Sequence, residues 1–140
     1  MHKLFIDINV ALDVALDRAP YAQSSRNLLV YIAEKKAEGF LSAMSYLTLY
    51  YLIEKKTNHA TATKFIKNIL ELFSVVPING ETLKKGLQIE LEDFEDSVQM
   101  ACAESCQADY IVTRNVQDFK TGHIPAISPA EYLSAFKITA

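Results

Sequence analysis

The chain reads as an α/β domain: a mostly parallel sheet covered by helices on both faces. Short apolar runs that end in polar residues alternate along it with longer amphipathic stretches, the pattern of β-α units. Half of its 140 residues are apolar and 22% are charged, an ordinary balance for a globular protein. No repeat, linker or low-complexity segment interrupts it, so a single domain is expected over 1–140.

Residues 3–8, KLFIDI, predict a short buried strand ending at an aspartate. A helix is expected from about Asn9 to Leu16, followed by a break at Arg18-Ala19-Pro20. A second helix is expected from Tyr21 to Glu38, with Gly39 placed to end it and Phe40-Leu41-Ser42 as a minimal strand. Residues 44–56 suit a third helix closed by Glu54-Lys55-Lys56, and Asn58 can cap a fourth that carries Phe65, Ile66, Ile69 and Leu70. Ser74 to Pro77 reads as a strand and Asn79-Gly80 as a turn or cap, with a helix from Glu81 to about Leu91. Another helix spans Phe94 to Cys106 before the strand Tyr110 to Thr113. Near the end Ala126-Ile127 is strand-like. Ser128-Pro129-Ala130-Glu131 then combines an N-cap serine, a first-turn proline and a glutamate able to bond back to the cap.

Several function classes are disfavoured. A net charge of −3 argues against a passive nucleic-acid coat, which would be basic, but not against an acidic site charged by bound metal. No apolar run approaches a membrane span, and the start lacks a secretory signal, so no membrane association and a cytoplasmic address are expected. Cys102 and Cys106 lie four apart on one expected helix, unsuited to a disulfide, and read as buried thiols. The histidines His2, His59 and His123 fall in expected ends or loops, and surface positions are expected for them.

Three acidic or polar groups carry chemistry. Asp7 follows an apolar strand and so sits at the C-terminal edge of the sheet; it reads as a metal ligand or phosphoacceptor, or as a cap for the next helix. From Glu90 to Asp96 five of seven residues are acidic. Asp93 and Asp96 share one face of a helix start, where they serve either as caps or as ligands for a hard ion such as Mg²⁺ or Mn²⁺. Thr113-Arg114-Asn115-Val116-Gln117-Asp118-Phe119 directly follows Tyr110–Val112 and should emerge at the same edge as Asp7. Asp118 can reach a metal and Asn115 offers a neutral ligand, while Arg18, Arg26 and Arg114 are candidates for binding a nucleic-acid backbone.

The ordered segments FIDINV, LSAMSYLTLYYLI, DFEDSVQMACAESCQADYIVTRNVQDF and ISPAEYL resemble the PIN domain family over nearly the whole chain. The resemblance implies a three-layer α/β/α fold with a mostly parallel sheet of about four to five strands. It also implies a metal-dependent ribonuclease, VapC-like, that cuts single-stranded RNA with Mg²⁺ or Mn²⁺ held by about four acids. In bacteria such proteins are often toxins, so an antitoxin partner and a homodimer are expectations alongside the RNA substrate. Carried over by position, Asp7 is the first acid and Asp96 the third. Asn115 stands where an Asp is frequent, Asp118 is its nearest substitute, and Asn9 matches a small polar residue after the first acid.

One position departs from the family pattern. The second acid, usually a glutamate, is replaced by Thr48. Glu54 lies six residues further along the same helix, about 240° around its axis, and should face solvent. The expected site therefore has Asp7, Asp96 and Asp118 as its acids, with Asp93 able to compensate and with Asn9, Thr48 and Asn115 orienting ligands or waters. Two readings compete with the nuclease. One is a PIN-like module with impaired catalysis that binds RNA or protein. The other is a phosphatase-like domain, disfavoured because Asn9 stands where a second aspartate is needed. The tyrosines Tyr46, Tyr50 and Tyr51 suit core or dimer packing better than a groove for a helical partner.

Overall fold

The computed structural model describes residues 1–136. Five strands, β1 (His2–Ile6), β2 (Ala37–Ser42), β3 (Ser74–Val76), β4 (Tyr110–Val112) and β5 (Ala126–Ile127), form one sheet in the order β3-β2-β1-β4-β5. Every pairing in it is parallel. Seven helices connect or follow them: α1 (Ile8–Ala15), α2 (Ala22–Ala33), α3 (Ala43–Lys56), α4 (His59–Leu72), α5 (Gly80–Ile89), α6 (Phe94–Ser105) and α7 (Pro129–Phe136). A 3₁₀ turn, Val116–Phe119, joins β4 to the path toward β5.

Side chains alternate across a strand, and here both sides are covered. Leu4 and Ile6 of β1, with Val112 of β4, enter a core shared with Val10, Leu28, Leu49, Ile69 and Tyr132 from α1, α2, α3, α4 and α7. Phe5 and Ile111 enter a second core on the opposite face, against Val98, Met100 and Cys102 of α6. This double burial makes β1 a nearly continuous apolar run, and it creates the three-layer α/β/α arrangement. Each fully buried Leu or Ile contributes roughly 1.5–3 kcal/mol relative to exposure.

The expected caps form. Asn58 Oδ1 accepts from the Thr61 amide at 2.8 Å and Asp93 Oδ1 from the Asp96 amide at 3.1 Å. Asn79 and Thr82 bond reciprocally at the start of α5. Ser128 Oγ accepts from the Glu131 amide and donates to the Glu131 carboxylate at α7. The break after α1 also holds, and its Ala19–Pro20 peptide is cis.

Two expectations fail. The second helix stops at Ala33 rather than Glu38, because Lys35 adopts a left-handed φ of 62° and turns the chain into β2. Residues 37–40 are then paired with residues 2–5 of β1, so sheet pairing outweighs the helix propensity of the Glu- and Lys-rich stretch. Gly39 is therefore a strand residue rather than a helix stop. It lies beneath Phe73, whose Cδ1 would be 2.6 Å from an added Cβ. His2 is half-buried rather than a free surface residue. Its Nδ1 lies 2.9 Å from the Tyr132 hydroxyl and its ring sits edge-on to Tyr110, Tyr132 and Phe136. His59 and His123 are exposed as expected. Of the two thiols, Cys102 is buried and Cys106 half-buried; both are free.

Helices α5 and α6 pack closely at Gly86, where an added Cβ would be 2.8 Å from Val98 Cγ2 and 3.3 Å from Val98 Cα. Glycine to alanine inside a helix ordinarily gains about 1 kcal/mol, whereas overpacking a close backbone contact costs about 1–3 kcal/mol. Gly86→Ala is therefore expected to lower the urea unfolding midpoint. Leu87→Ala, on the exposed side of the same helix, should leave it nearly unchanged.

Candidate active site

Asp7 occupies the cap position of α1 with extended backbone (φ −69°, ψ 145°), yet its carboxylate makes no capping hydrogen bond. Its amide donates to Val112 O at 2.9 Å, continuing the β1–β4 pairing one residue past the strand. Its carboxylate accepts instead from Thr113 Oγ1 at 2.8 Å. Thr113 Oγ1 in turn accepts from the Asn115 amide at 3.0 Å, and Asn115 O accepts from the Asp118 amide at 3.0 Å. One chain of bonds thus runs from β1 through the turn after β4 to Asp118. Asp7 is only 7% exposed, and this burial pushes its carboxyl above the usual range. The Thr113 and Ile8 donors oppose the shift, while Glu95 and Asp118 reinforce it.

The acidic segment is brought to the same edge by α6. Ser97 Oγ accepts from the buried Leu91 amide at 2.9 Å, folding residues 91–96 against the helix start. The Asp96 carboxyl is pushed up to about 6, first by burial and then by repulsion from Asp93, Asp118, Asp7 and Glu95. A cleft of about 590 Å³ opens here, lined by Asp93, Asp96, Gln117, Asp118, Lys120 and Leu91 among others.

The sequence candidates thus separate into groups. Asp93, Asp96 and Asp118 line the cleft, and Asp7 lies close enough to both Asp96 and Asp118 to raise the energy of ionisation. Asn115 bridges Asp7 to Asp118 through its backbone. Asn9 is half-buried on α1 and Thr48 half-buried on α3; neither belongs to the cleft wall. Beside Thr48 the buried Ser42 and Ser45 hold each other through their hydroxyls at 2.9 Å. Glu54 faces away as expected, bonded to Tyr50 and 3.8 Å from His59. Tyr46 is buried, while Tyr51 is 60% exposed.

Sequence reasoning passed over three residues. Glu95 adds to the repulsion at both Asp7 and Asp96, and Lys120 is the cation on the cleft wall. Asp13 is fully buried in α1. Arg18 Nε donates to its Oδ1 at 2.7 Å, and Arg114 Nε lies 3.3 Å from its Oδ2. An acid inside the apolar run Val10–Val14, followed by Arg18, was the available signal. Arg114 is correspondingly no free surface residue: its side chain is 25% exposed and its guanidinium lies 4.1 Å from the centre of the Tyr21 ring.

The donors around the cleft are all oxygens, which suits Mg²⁺ or Mn²⁺ rather than a softer ion. Among the described residues, no three His, Cys, Asp or Glu side chains converge tightly enough to enclose one ion. The set therefore fits a cation held by one or two carboxylates that keeps several waters, the usual manner of Mg²⁺ at phosphate-handling sites.

The raised Asp96 value has a direct consequence for stability. A carboxyl whose folded-state value lies above its unfolded 3.8 favours the fold most below that value, and loses this contribution as pH rises through about 6. Asp96→Asn is accordingly expected to melt above the wild type near pH 8 without metal. The difference should shrink toward about pH 4; a pH-independent difference would mean Asp96 is not repelled by its neighbours.

Comparison with known proteins agrees with this architecture. Residues 3–117 match the PIN domain family model. The chain is similar to Ribonuclease VapC1 from Aquifex aeolicus (strain VF5), at 22% identity over 137 residues covering 93% of this chain and 92% of that protein. Its fold is similar to FitAcB from Neisseria gonorrhoeae, with a TM-score of 0.69, 17% identity and coverage of 91% and 98%. It is also similar to a toxin–antitoxin complex from Klebsiella pneumoniae, with a TM-score of 0.66, 17% identity and coverage of 90% and 97%. With the family model spanning most of its length and the three-layer parallel fold in place, the chain belongs to the PIN domain family.

Proposed function

We propose that the protein is a metal-dependent endoribonuclease, the toxin half of a toxin–antitoxin pair. The observation that carries this reading is Asp7: a buried, uncapped carboxylate at the end of the central strand, held by Thr113 and crowded by Asp96 and Asp118. Its oxygens make no capping bond to the first turn of α1 and accept instead from the Thr113 hydroxyl. Carboxylates that raise one another's ionisation energy, beside a cleft, are arranged for a cation. Similarity to a ribonuclease and to a toxin–antitoxin complex supports the choice of RNA as substrate and an antitoxin as partner.

In this mechanism Asp7, Asp96 and Asp118 would hold one or two Mg²⁺ or Mn²⁺ ions, each ion through one or two of these carboxylates, with Asp93 able to add a further ligand. When bound, Mg²⁺ or Mn²⁺ supplies Lewis-acid stabilisation of the phosphorane-like charge and lowers the pKa of a water. Thr113 fixes the orientation of the Asp7 carboxylate, and the Asn115 backbone carries that orientation to Asp118. Asn9, Thr48 and the Asn115 side chain orient waters around the acids. Lys120, on the cleft wall, meets a phosphate of the strand that enters.

Purified protein incubated with single-stranded RNA and Mn²⁺ should cleave it internally, and Asp7→Asn together with Asp96→Asn should abolish cleavage. Cleavage that survives the double substitution would refute the assignment. The position of Thr48 offers a second check: Thr48→Glu restores the acid usual in the family and should tighten Mn²⁺ binding several-fold by calorimetric titration.

A second reading, an impaired PIN module that binds RNA or protein without cutting, is favoured by Thr48 and by the absence of three converging ligand side chains among the described residues. Under it, Mn²⁺ titration of the wild type gives no saturable binding.

A further inference from the structure

We propose that Tyr21 and Arg114 form a nucleotide subsite reached from the same turn after β4 that holds Asp7, binding the phosphate and base of one residue of a single-stranded RNA. This rests on the ribonuclease reading above and names where its substrate is gripped. A cavity of about 290 Å³ lies between the α1–α2 turn, the start of α2, the turn after β4 and the start of α7. Its walls include Pro20, Tyr21, Ser24, Arg114 and Pro129. At the lower end of the roughly 300–1,000 Å³ usual for ligand pockets, it suits one small unit rather than a length of strand.

Arg114 is the next residue after Thr113, whose hydroxyl holds Asp7, so their Cα atoms are separated by about 3.8 Å. The turn after β4 thus contributes both the hydroxyl that holds Asp7 and the arginine that lines this cavity. The guanidinium is also held in place. It stacks on Tyr21 at 4.1 Å, and its Nε is 3.3 Å from the buried Asp13 carboxylate. Pre-positioning lowers the ordering cost that a flexible surface arginine would meet on binding.

Neutralising Asp13 does not account for Arg114. Arg18 already makes the short, aligned bond to Asp13 at 2.7 Å, whereas Asp13 Oδ2 and Arg114 Nε form no aligned hydrogen bond. Two guanidinium groups around one carboxylate leave a residual positive charge, on a chain whose net charge is −3 and whose cleft is rimmed by acids. Among the described residues no acceptor is hydrogen-bonded to the terminal nitrogens of Arg114, and the side chain is 25% exposed. That planar fork matches a phosphodiester. Tyr21, 42% exposed, and the proline walls offer an aromatic and apolar surface of the kind on which an unpaired base stacks.

The test uses the full chain carrying Asp96→Asn, in chelator, so that binding is read without cleavage. Fluorescence anisotropy follows a labelled single-stranded oligouridylate across a range of salt, with a duplex of matched length as a second probe. Arg114→Gln should weaken single-strand binding about tenfold and lower the salt slope by about one. Arg114→Lys should keep the slope while losing part of the affinity, because the charge remains and the fork does not. Tyr21→Leu should weaken binding about fivefold or more at unchanged slope, and Tyr21→Phe should bind as the parent does. Lys64→Ala, at an exposed position of α4, should change nothing. Melting temperatures identify any variant that loses its fold, in which case Arg114→Lys and Tyr21→Phe carry the comparison.

Folded Arg114→Gln and Tyr21→Leu proteins that bind with parental affinity and slope would overturn the subsite. So would duplex binding as tight as single-strand binding with the same residue dependence. If the wild type cleaves no RNA while these variants lose binding as expected, the nuclease reading falls and the subsite stands.

Discussion

Parallel pairing of β1 with β4 is the constraint on which the candidate site depends. The ladder continues one residue past the strands, from the Asp7 amide to Val112 O, so that Asp7 and Thr113 leave the sheet side by side. The Thr113 hydroxyl then meets the Asp7 carboxylate instead of solvent. Slipping this register by one residue would move Leu4 and Ile6 into the core that receives Phe5. The two buried faces of β1 thus lock the pairing that delivers the carboxylate, and packing energy spread over both cores maintains a single hydrogen bond at the sheet edge.

Two buried aspartates in this region are treated in opposite ways. Asp13 is balanced at close range by Arg18 and Arg114 and works as an anchor between α1, the turn after it and the turn after β4. Among the described residues Asp7 has no ion-pair partner, only neutral donors and further acids around it. A buried carboxylate without a counter-charge is costly, and the fold tolerates it where a cleft and a polar chain meet. The contrast separates an acid neutralised within the fold from one left without a counter-charge at the sheet edge, although both sit in or against the same short helix.

Helix α6 supplies the other half of the site and does so under strain of like charge. Its first turn carries Asp93, Glu95 and Asp96, where the helix dipole favours acids, and Asp93 closes the cap. That local stabilisation offsets part of the repulsion that raises Asp96. The close α5–α6 contact at Gly86 and the Ser97 bond to Leu91 hold the segment at the edge reached by Asp7. One wall of the acidic cleft and the fixed Arg114 are thus both carried by the segment that leaves β4, an arrangement compatible with the proposed polyanionic substrate.

The sequence by itself determined the class of fold, most element boundaries and the three places where acids meet strand or helix ends. These follow from short-range rules: the periodicity of apolar residues, cap residues at Asn58, Asn79, Asp93 and Ser128, and the position of Asp7 after an apolar run. Only the tertiary structure decided where α2 stops, because β2 forms through pairing with β1, a long-range contact that local propensity cannot encode. It alone moved His2 into an aromatic cluster with Tyr132, at the far end of the chain. It alone distinguished Asp13 from Asp7, since which cations lie beside a carboxylate is set by contacts distant in the chain. Likewise Arg114 reads in the sequence as one more surface cation, and only its packing on Tyr21 and beside Asp13 gives it a fixed direction.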